Sequence, residues 1–153
     1  MARFDITRAA DLIRAARIDA ALTQAELAGR AGLRQPSLAQ MESGRRSVSN
    51  EMLERVLRAA DYRPSLPLAA HATEIRDAAV RHGLREVRVF GSVLRGEDAF
   101  DSDIDLLVTA DDDTDLFDLA LFSEDVRRLT GFPVDVVADG SALAAARAEA
   151  VPL

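Results

Sequence analysis

Two aspartates spaced two residues apart are the strongest chemical feature of the chain. Asp103 and Asp105 open the apolar run that ends at Val108, and side chains two apart on a β-strand project from the same face. Carboxylates held this close repel one another, so such a pair typically serves to bind a hard divalent cation. Mg2+ is the leading candidate, because a Mg2+ ion held by few carboxylates keeps positions open for substrate phosphates.

A glycine and a serine precede these aspartates and suit a phosphate group. Gly91 follows the apolar run that ends at Phe90, and Ser92 stands at the expected start of a helix. Glycine lets the backbone turn sharply and approach a ligand, and N–H groups at a helix N-terminus attract phosphate. A plainer account stays open, in which the pair forms an ordinary turn and the aspartates face solvent on an edge strand.

A third carboxylate and an arginine extend this candidate site. Asp135 lies in the β-branched run Val134–Val137, which predicts a strand. If that strand pairs beside the Asp103 strand, three carboxylates cluster. Arg95 is a candidate phosphate ligand, although an exposed loop arginine accounts for it equally well.

The stretch Val89–Val108, VFGSVLRGEDAFDSDIDLLV, resembles the signature of DNA-polymerase-β-type nucleotidyltransferases, and its segments SVLRG and SDIDLLV resemble their minimal, or MNT, branch. The resemblance covers residues 86–153. In that family the Gly-Ser pair binds the β and γ phosphates of a nucleotide, two aspartates hold two metal ions, and a third carboxylate helps to activate the acceptor. It implies ATP as donor, two Mg2+ ions, nucleotide binding by Gly91 and Ser92, and catalytic and metal-binding roles for Asp103, Asp105 and Asp135. Arg95 joins the nucleotide-binding candidates from its position in the sequence and not from the resemblance.

Charge divides the chain of 153 residues into two parts. Residues 1–70 contain 11 arginines and 8 acidic residues, net +3, whereas residues 71–153 contain 8 arginines and 18 acidic residues, net −10. A basic and an acidic half indicate different partners. The absence of cysteine excludes disulfides and thiolate metal sites, and no apolar run reaches the roughly 18 residues that would span a membrane. We therefore expect a cytoplasmic protein without a membrane partner.

The basic half reads as short helices. Thr23 and Glu26 predict a capping box for a helix that ends at Gly32, and a second short helix should run from there to Gly44. The stretch LTQAELAGRAGLRQPSLAQMESGRR, residues 22–46, resembles the XRE/Cro class of helix-turn-helix repressors, whose second helix lies in the DNA major groove. The DNA-contacting residues that it implies are Thr23, Gln24, Gln35, Pro36, Ser37, Gln40, Arg45 and Arg46.

Two points on this candidate DNA surface stay open. A glutamine such as Gln40 can pair with adenine in two hydrogen bonds, but a solvated helix face explains the glutamines as well. Pro36 disfavours helical angles at Gln35, so Gln35 is either a base contact or the cap of the second helix. Because such domains usually work in pairs, we expect a homodimer or a hetero-oligomer with a partner.

These signals predict an α-helical helix-turn-helix domain over residues 1–62, a linker over residues 63–70, and an α+β nucleotidyltransferase domain with a small mixed sheet over residues 71–153. Pro64 and Pro67 predict that the linker is not helical. A helix after Asp115 has one apolar stripe through Phe122 and Val126 and a partial second through Phe117 and Leu121, which predicts burial on two sides. Packing within the domain is the first account of the second side, and cover by a partner protein or a dimer mate is the alternative. Residues 141–150 predict a closing helix.

The two resemblances together suggest a function. MNT proteins are commonly antitoxins of HEPN ribonuclease toxins, and some transfer AMP to a tyrosine of the toxin. We therefore expect an antitoxin-type protein adenylyltransferase that modifies a HEPN-type toxin encoded nearby and represses its own operon at operator DNA. The alternatives are a transcription regulator whose transferase domain senses nucleotide or is inactive, and a nucleotidyltransferase toxin that acts on tRNA.

Overall fold

The computed structural model describes residues 2–142 and 144–153. The chain divides into two compact units, Met1–Arg63 and Pro64–Leu153. In the described part of the chain, none of the helices combines the length and the apolar character needed to cross a bilayer.

The first unit is helical. A 3-10 turn at Ile6–Arg8 leads into α1 (Ala9–Asp19), α2 (Gln24–Ala31), α3 (Gln35–Glu42) and α4 (Asn50–Ala59). Both α1 and α2 pack against α3 and α4. Their apolar stripes form the core of this unit, and its most deeply buried side chains are Ile13, Leu27, Leu38, Met41, Leu53, Val56 and Leu57.

The ends of α2 follow the predicted signals. The Thr23 hydroxyl accepts the Glu26 N–H at 3.1 Å, and the Glu26 carboxylate accepts the Thr23 N–H at 3.1 Å, so the predicted capping box is confirmed. Gly32 ends the helix with φ +70°, a left-handed conformation that glycine adopts without a steric penalty.

The start of α3 differs from one of the two predicted alternatives. Arg34 is the N-cap, without a capping hydrogen bond from its side chain, and Gln35 is the first helical residue. Gln35 is therefore not the cap. The N–H groups of the first helical turn make no intrahelical hydrogen bonds. Pro36, which has no N–H, therefore fits at the second position of α3, and the helix can begin at Gln35.

The second unit is α+β, as predicted. Its helices are α5 (Ser65–Ala70), α6 (Ala72–Arg81), α7 (Gly91–Arg95), α8 (Leu116–Thr130) and α9 (Ala144–Glu149), and its strands are β1 (Leu84–Phe90), β2 (Ile104–Ala110), β3 (Val134–Ala138) and β4 (Val151–Pro152). A 3-10 turn at Asp139–Ser141 precedes α9. The predicted closing helix is thus shorter than residues 141–150, and its residue Leu143 lies outside the described residues.

The sheet is mixed, which confirms the predicted architecture. Its strand order is β3-β2-β1-β4; β1 runs antiparallel to β2 and to β4, and β2 runs parallel to β3. Two parallel neighbours need a crossover connection, and α8 supplies it while packing against β3. Helices α6 and α8 contact each other, and the core of the unit includes Ile75, Leu84, Ile104, Leu106, Phe122 and Phe132.

The predicted linker is helical. Helix α5 starts after Pro64 and places Pro67 in its first turn, where no proline N–H is needed. The buried Asp98 carboxylate accepts the Ser65 N–H at 2.8 Å, and Pro67 and Leu68 are buried. The prediction of a helix-free linker was wrong because these tertiary contacts satisfy the start of a short helix and bury its apolar side.

The second apolar stripe of α8 is exposed. Phe122 and Val126 are fully buried, but Phe117 and Leu121 keep 71% and 41% of their surface exposed. Within this unit, then, α8 buries one side, so packing within the domain does not cover the second stripe. Cover by a partner protein or a dimer mate stays a prediction.

Candidate functional site

Gly91 forms the turn between β1 and α7, and it lies against Asp105. Strand β1 ends at Phe90, which pairs with Asp105 across the antiparallel ladder. Gly91 has φ +74°, and a Cβ added there would collide with the Asp105 carboxylate and lie 3.1 Å from its Cγ. Any larger residue would therefore meet both backbone strain and the carboxylate.

Asp105 and Asp135 share one face of the sheet. The parallel register of β2 and β3 pairs them directly, and strand side chains at paired positions project to the same side. Asp103 lies exposed just before β2 begins. The predicted same-face argument therefore applies to Asp105 and Asp135, whereas Asp103 reaches the site from the preceding loop.

The site is electrostatically unfavourable without a cation. Burial raises the pKa of the Asp105 carboxyl above its usual range, and the neighbouring carboxylates of Asp135 and Asp103 raise it further. Each of these causes disfavours the ionised form. A bound divalent cation would reverse that effect, because it is a strong positive charge next to the same oxygens.

The structure does not gather the three aspartates into the predicted metal-binding cluster. Within the described residues, no group of three or more His, Cys, Asp or Glu side chains is gathered closely enough to hold a metal ion. Asp103, Asp105 and Asp135 are nevertheless near enough for both neighbours to act on Asp105. An open carboxylate face of this kind suits Mg2+, which retains waters and completes its shell with substrate phosphates.

The other predicted nucleotide ligands lie on α7. Ser92 is its second residue and is half-buried, and Arg95 is its exposed last residue. Arg95 pairs with Glu97 at 3.1 Å and with Glu149 at 2.8 Å. Arg95 is thus helical and not in a loop, but it is exposed, so an exposed surface arginine accounts for it as well as a phosphate ligand does.

Glu149 is a residue of this site that sequence reasoning missed. One carboxylate oxygen accepts the Gly91 N–H at 3.4 Å, and the other accepts an Arg95 N–H at 2.8 Å. Glu149 stands 58 residues from Gly91 in the chain, in an alanine-rich segment without any motif. No signal in the sequence marks it.

The predicted DNA-contacting residues lie at the N-cap of α2, on α2 and α3, and in the loop that follows α3. Gln35, Pro36, Gln40, Arg45 and Arg46 are exposed, as is Thr23, whereas Gln24 and Ser37 are half-buried. The Gln35 side chain donates a hydrogen bond to the Gln24 side chain at 3.0 Å. That contact ties the start of α2 to the start of α3.

The loop after α3 is held by backbone hydrogen bonds. The Gln40 carbonyl accepts the N–H groups of Arg45 and Arg46 at 3.0 and 3.3 Å. Both arginines thus have a fixed backbone and exposed side chains next to the end of α3, a position that suits contacts with phosphates.

A buried ion pair behind this surface was also missed. Glu42 is only 3% exposed, and both its oxygens accept hydrogen bonds from Arg17 at 2.8 and 2.9 Å. Arg14 donates to the Glu42 carbonyl at 3.3 Å. An acid at the end of an amphipathic helix gives no local sign of burial, because its partner lies 25 residues away.

Comparison with known proteins agrees with the fold of both units. A family model for the nucleotidyltransferase domain matches residues 72–149, and a helix-turn-helix model matches residues 13–66. Protein adenylyltransferase MntA of Thermococcus cleftensis is 40% identical over 74 residues, which cover 48% of this chain and 72% of that protein. A solved structure of a protein assigned as a minimal nucleotidyltransferase has a TM-score of 0.55 and 35% identity, over 60% of this chain and 98% of its own.

The fold, the Gly91 turn against Asp105 and these matches lead to one conclusion. The chain belongs to the nucleotidyltransferase domain family and carries an XRE-type helix-turn-helix domain ahead of that domain.

Proposed function

We propose that the chain is an antitoxin-type protein adenylyltransferase that transfers AMP from ATP to a HEPN-type toxin. The observation that carries this proposal is the pairing of Asp105 with Asp135 on one sheet face beside the Gly91 turn. That the similar MntA protein is a protein adenylyltransferase supports a protein acceptor. The net charge of −10 on residues 71–153 supports it as well, because it disfavours tRNA as the acceptor.

Each group of the site has an assigned task. The Gly91 N–H and Ser92 at the start of α7 bind the β and γ phosphates, and Arg95 offers a positive charge to them. Asp103, Asp105 and Asp135 would hold two Mg2+ ions. When bound, such ions neutralise phosphate charge and lower the pKa of the attacking hydroxyl.

The reaction is an in-line displacement at the α phosphorus. A tyrosine hydroxyl oxygen of the acceptor forms the new bond to the α phosphorus, its proton passes to Asp135, and the bond to the β phosphate oxygen breaks. Pyrophosphate leaves with that bonding electron pair. The chain contributes chiefly orientation and charge complementarity to the transition state.

The helix-turn-helix domain gives the second part of the proposal. We assign operator binding to residues 1–62 and transfer to residues 71–153. The exposed Gln40 and the fixed loop of Arg45 and Arg46 support readout of bases and phosphates, respectively. A homodimer, alone or with toxin bound, would read two half-sites of the operon's own operator.

The test is the intact mass of the protein encoded next to this chain. That protein is incubated with this chain, Mg2+ and ATP, and the same incubation with the Asp103→Ala variant is the control. We expect a mass gain in whole adenylyl units with the wild type and none with the variant. Tight binding between the two proteins without a mass gain from any of the four nucleotides would contradict transfer and favour a non-catalytic regulator.

A further inference from the structure

The carboxylate of Glu149 stands where a nucleotide phosphate is expected. Its two oxygens accept hydrogen bonds from the Gly91 N–H at 3.4 Å and from the Arg95 guanidinium at 2.8 Å. A carboxylate edge presents two anionic acceptor oxygens, as a phosphate does, and the same donors recognise both. The two anions cannot use these donors together.

Glu149 is brought there by the strand that follows it. It is the last residue of α9, and β4 pairs antiparallel with the end of β1 through Val151 opposite Val89 and Pro152 opposite Arg88. The Leu153 N–H donates to the Val87 carbonyl at 3.0 Å. Since Gly91 follows β1 directly, this pairing places Glu149 beside the phosphate turn.

The segment that holds Glu149 at Gly91 should open at a low free energy. Strand β4 has two residues, both exposed, and it forms an edge of the sheet. Short edge elements with little buried surface are the part of a fold that opens at the lowest free energy. Arg95 is also shared between Glu149 and Glu97, so it has another partner when Glu149 leaves.

Departure of Glu149 would free both of these phosphate donors, the Gly91 N–H and the Arg95 guanidinium.

We propose that Glu149 is an internal competitor for the phosphates of the nucleotide donor, so that the donor binds only after Glu149 has released Gly91 and Arg95. This inference rests on the proposed function, because it takes Gly91 and Arg95 as donors to the nucleotide. It makes the segment of α9 and β4 a determinant of donor affinity.

The test compares Glu149→Gln with the wild type and with Glu97→Gln. Glu97 pairs with the same arginine, but among the described residues it is Glu149 that accepts the Gly91 N–H. Calorimetric titration with Mg2+ and ATP should give a dissociation constant about tenfold lower for Glu149→Gln, because the occluded population is lost. Glu97→Gln should stay within about twofold of the wild type, since it leaves Gly91 occupied.

A second measurement detects the contact without nucleotide. The backbone amide signal of Gly91 in a nitrogen–proton correlation spectrum should shift in Glu149→Gln and stay in place in Glu97→Gln. An unmoved Gly91 signal would overturn the inference. Affinity for ATP that is unchanged or weaker in Glu149→Gln would also overturn it, and a weaker one would place Glu149 among the residues that hold the donor.

Failure of the proposed function has a different signature. In that case the wild type and both variants bind no ATP, even though the Gly91 signal responds to Glu149→Gln. That outcome would show that ATP is not the nucleotide donor, and it would contradict both the proposed function and the competition by Glu149. Failure of this inference alone leaves a wild type that binds ATP and a Glu149→Gln variant that binds it no better.

Discussion

At the scale of single residues, the candidate site depends on the contact between Gly91 and Asp105. Position 91 requires glycine for two reasons. Its φ of +74° is strained for any residue with a side chain, and the Asp105 carboxylate fills the space that a Cβ would take. The chain offers a matched comparison in Gly96, which has φ +70° and nothing within 4 Å of an added Cβ.

We predict that Gly91→Ala is more damaging than Gly96→Ala. Gly96→Ala should lower the free energy of unfolding by about 1 kcal/mol, because alanine is strained in the left-handed conformation. Gly91→Ala should lower it by about 3 kcal/mol, because the collision with Asp105 adds to that strain. Gly91→Ala should also abolish ATP binding. Urea unfolding and calorimetric titration measure the two effects; similar losses of stability in both variants would contradict the close contact.

Asp105 should illustrate a conflict between stability and function. Its pKa is raised by burial and then by Asp135 and Asp103, so its ionised form destabilises the folded state at neutral pH, and that cost disappears as the pH falls through the folded-state pKa. Asp105→Asn should therefore increase the free energy of unfolding at pH 7 without divalent metal, while transfer is lost.

Thermal denaturation in the presence of EDTA, from neutral to acidic pH, is the measurement for Asp105→Asn. The advantage of the variant should shrink with falling pH, because the wild-type carboxyl then takes up a proton. Equal melting temperatures of the two proteins at pH 7 would show that the carboxylate carries no such cost.

At the scale of elements, a buried ion pair joins α1 to α3. Glu42 at the end of α3 accepts two hydrogen bonds from Arg17 on α1, and the Arg17 side chain also donates to the Leu22 carbonyl at 3.0 Å. Helix α3 carries the candidate base-reading residues, so this pair orients that helix on its support. The Arg3–Glu54 pair in the same unit, at 3.8 Å with Glu54 42% exposed, is a surface contact.

We predict that Glu42→Ala lowers the free energy of unfolding by about 3 kcal/mol, because it leaves a partly buried arginine without its carboxylate. Glu54→Ala should cost less than about 1 kcal/mol, as exposed pairs do. Urea unfolding followed by circular dichroism compares the two variants. Equal losses would mean that the buried pair contributes no more than a surface pair.

At the scale of the whole molecule, the basic and acidic halves of the sequence coincide with the two structural units, one for each family. The helix-turn-helix unit, Met1–Arg63, has a net charge of +3 from 11 arginines and 8 acidic residues, and the nucleotidyltransferase unit has −10 from 8 arginines and 18 acidic residues. Polyanionic DNA is attracted by the first unit and repelled by the second. The two proposed activities should therefore be separable by single substitutions.

We predict that Asp103→Ala loses transfer and keeps operator binding, whereas Gln40→Ala does the reverse, with an operator affinity about tenfold or more weaker. Arg45→Ala is the control for base readout, because it should weaken binding to all DNA sequences alike. It should also reduce the slope of log affinity against log salt concentration by about one, as expected for the loss of one phosphate contact. Fluorescence anisotropy with operator and random DNA measures these effects. Loss of both activities in a folded single variant would contradict two independent modules.

Features that depend on neighbouring residues could be predicted from the sequence. The Thr23 capping box and the Gly32 stop of α2 are satisfied within one turn of helix, so spacing alone predicts them. The two families could be named from the Gly-Ser and Asp-Ile-Asp spacing and from residues 22–46. The mixed sheet followed from that resemblance and is confirmed.

Contacts between groups that are distant in the chain became known from the folded structure. The β2–β3 register sets Asp105 opposite Asp135, β4 carries Glu149 to Gly91, and contacts with Asp98 make the predicted linker a helix. The sequence pattern also did not predict the exposure of Phe117 or the burial of Glu42. The physical reason is that periodicity and capping report interactions within a few residues, whereas strand order, register and burial are decided by packing between elements far apart in the chain.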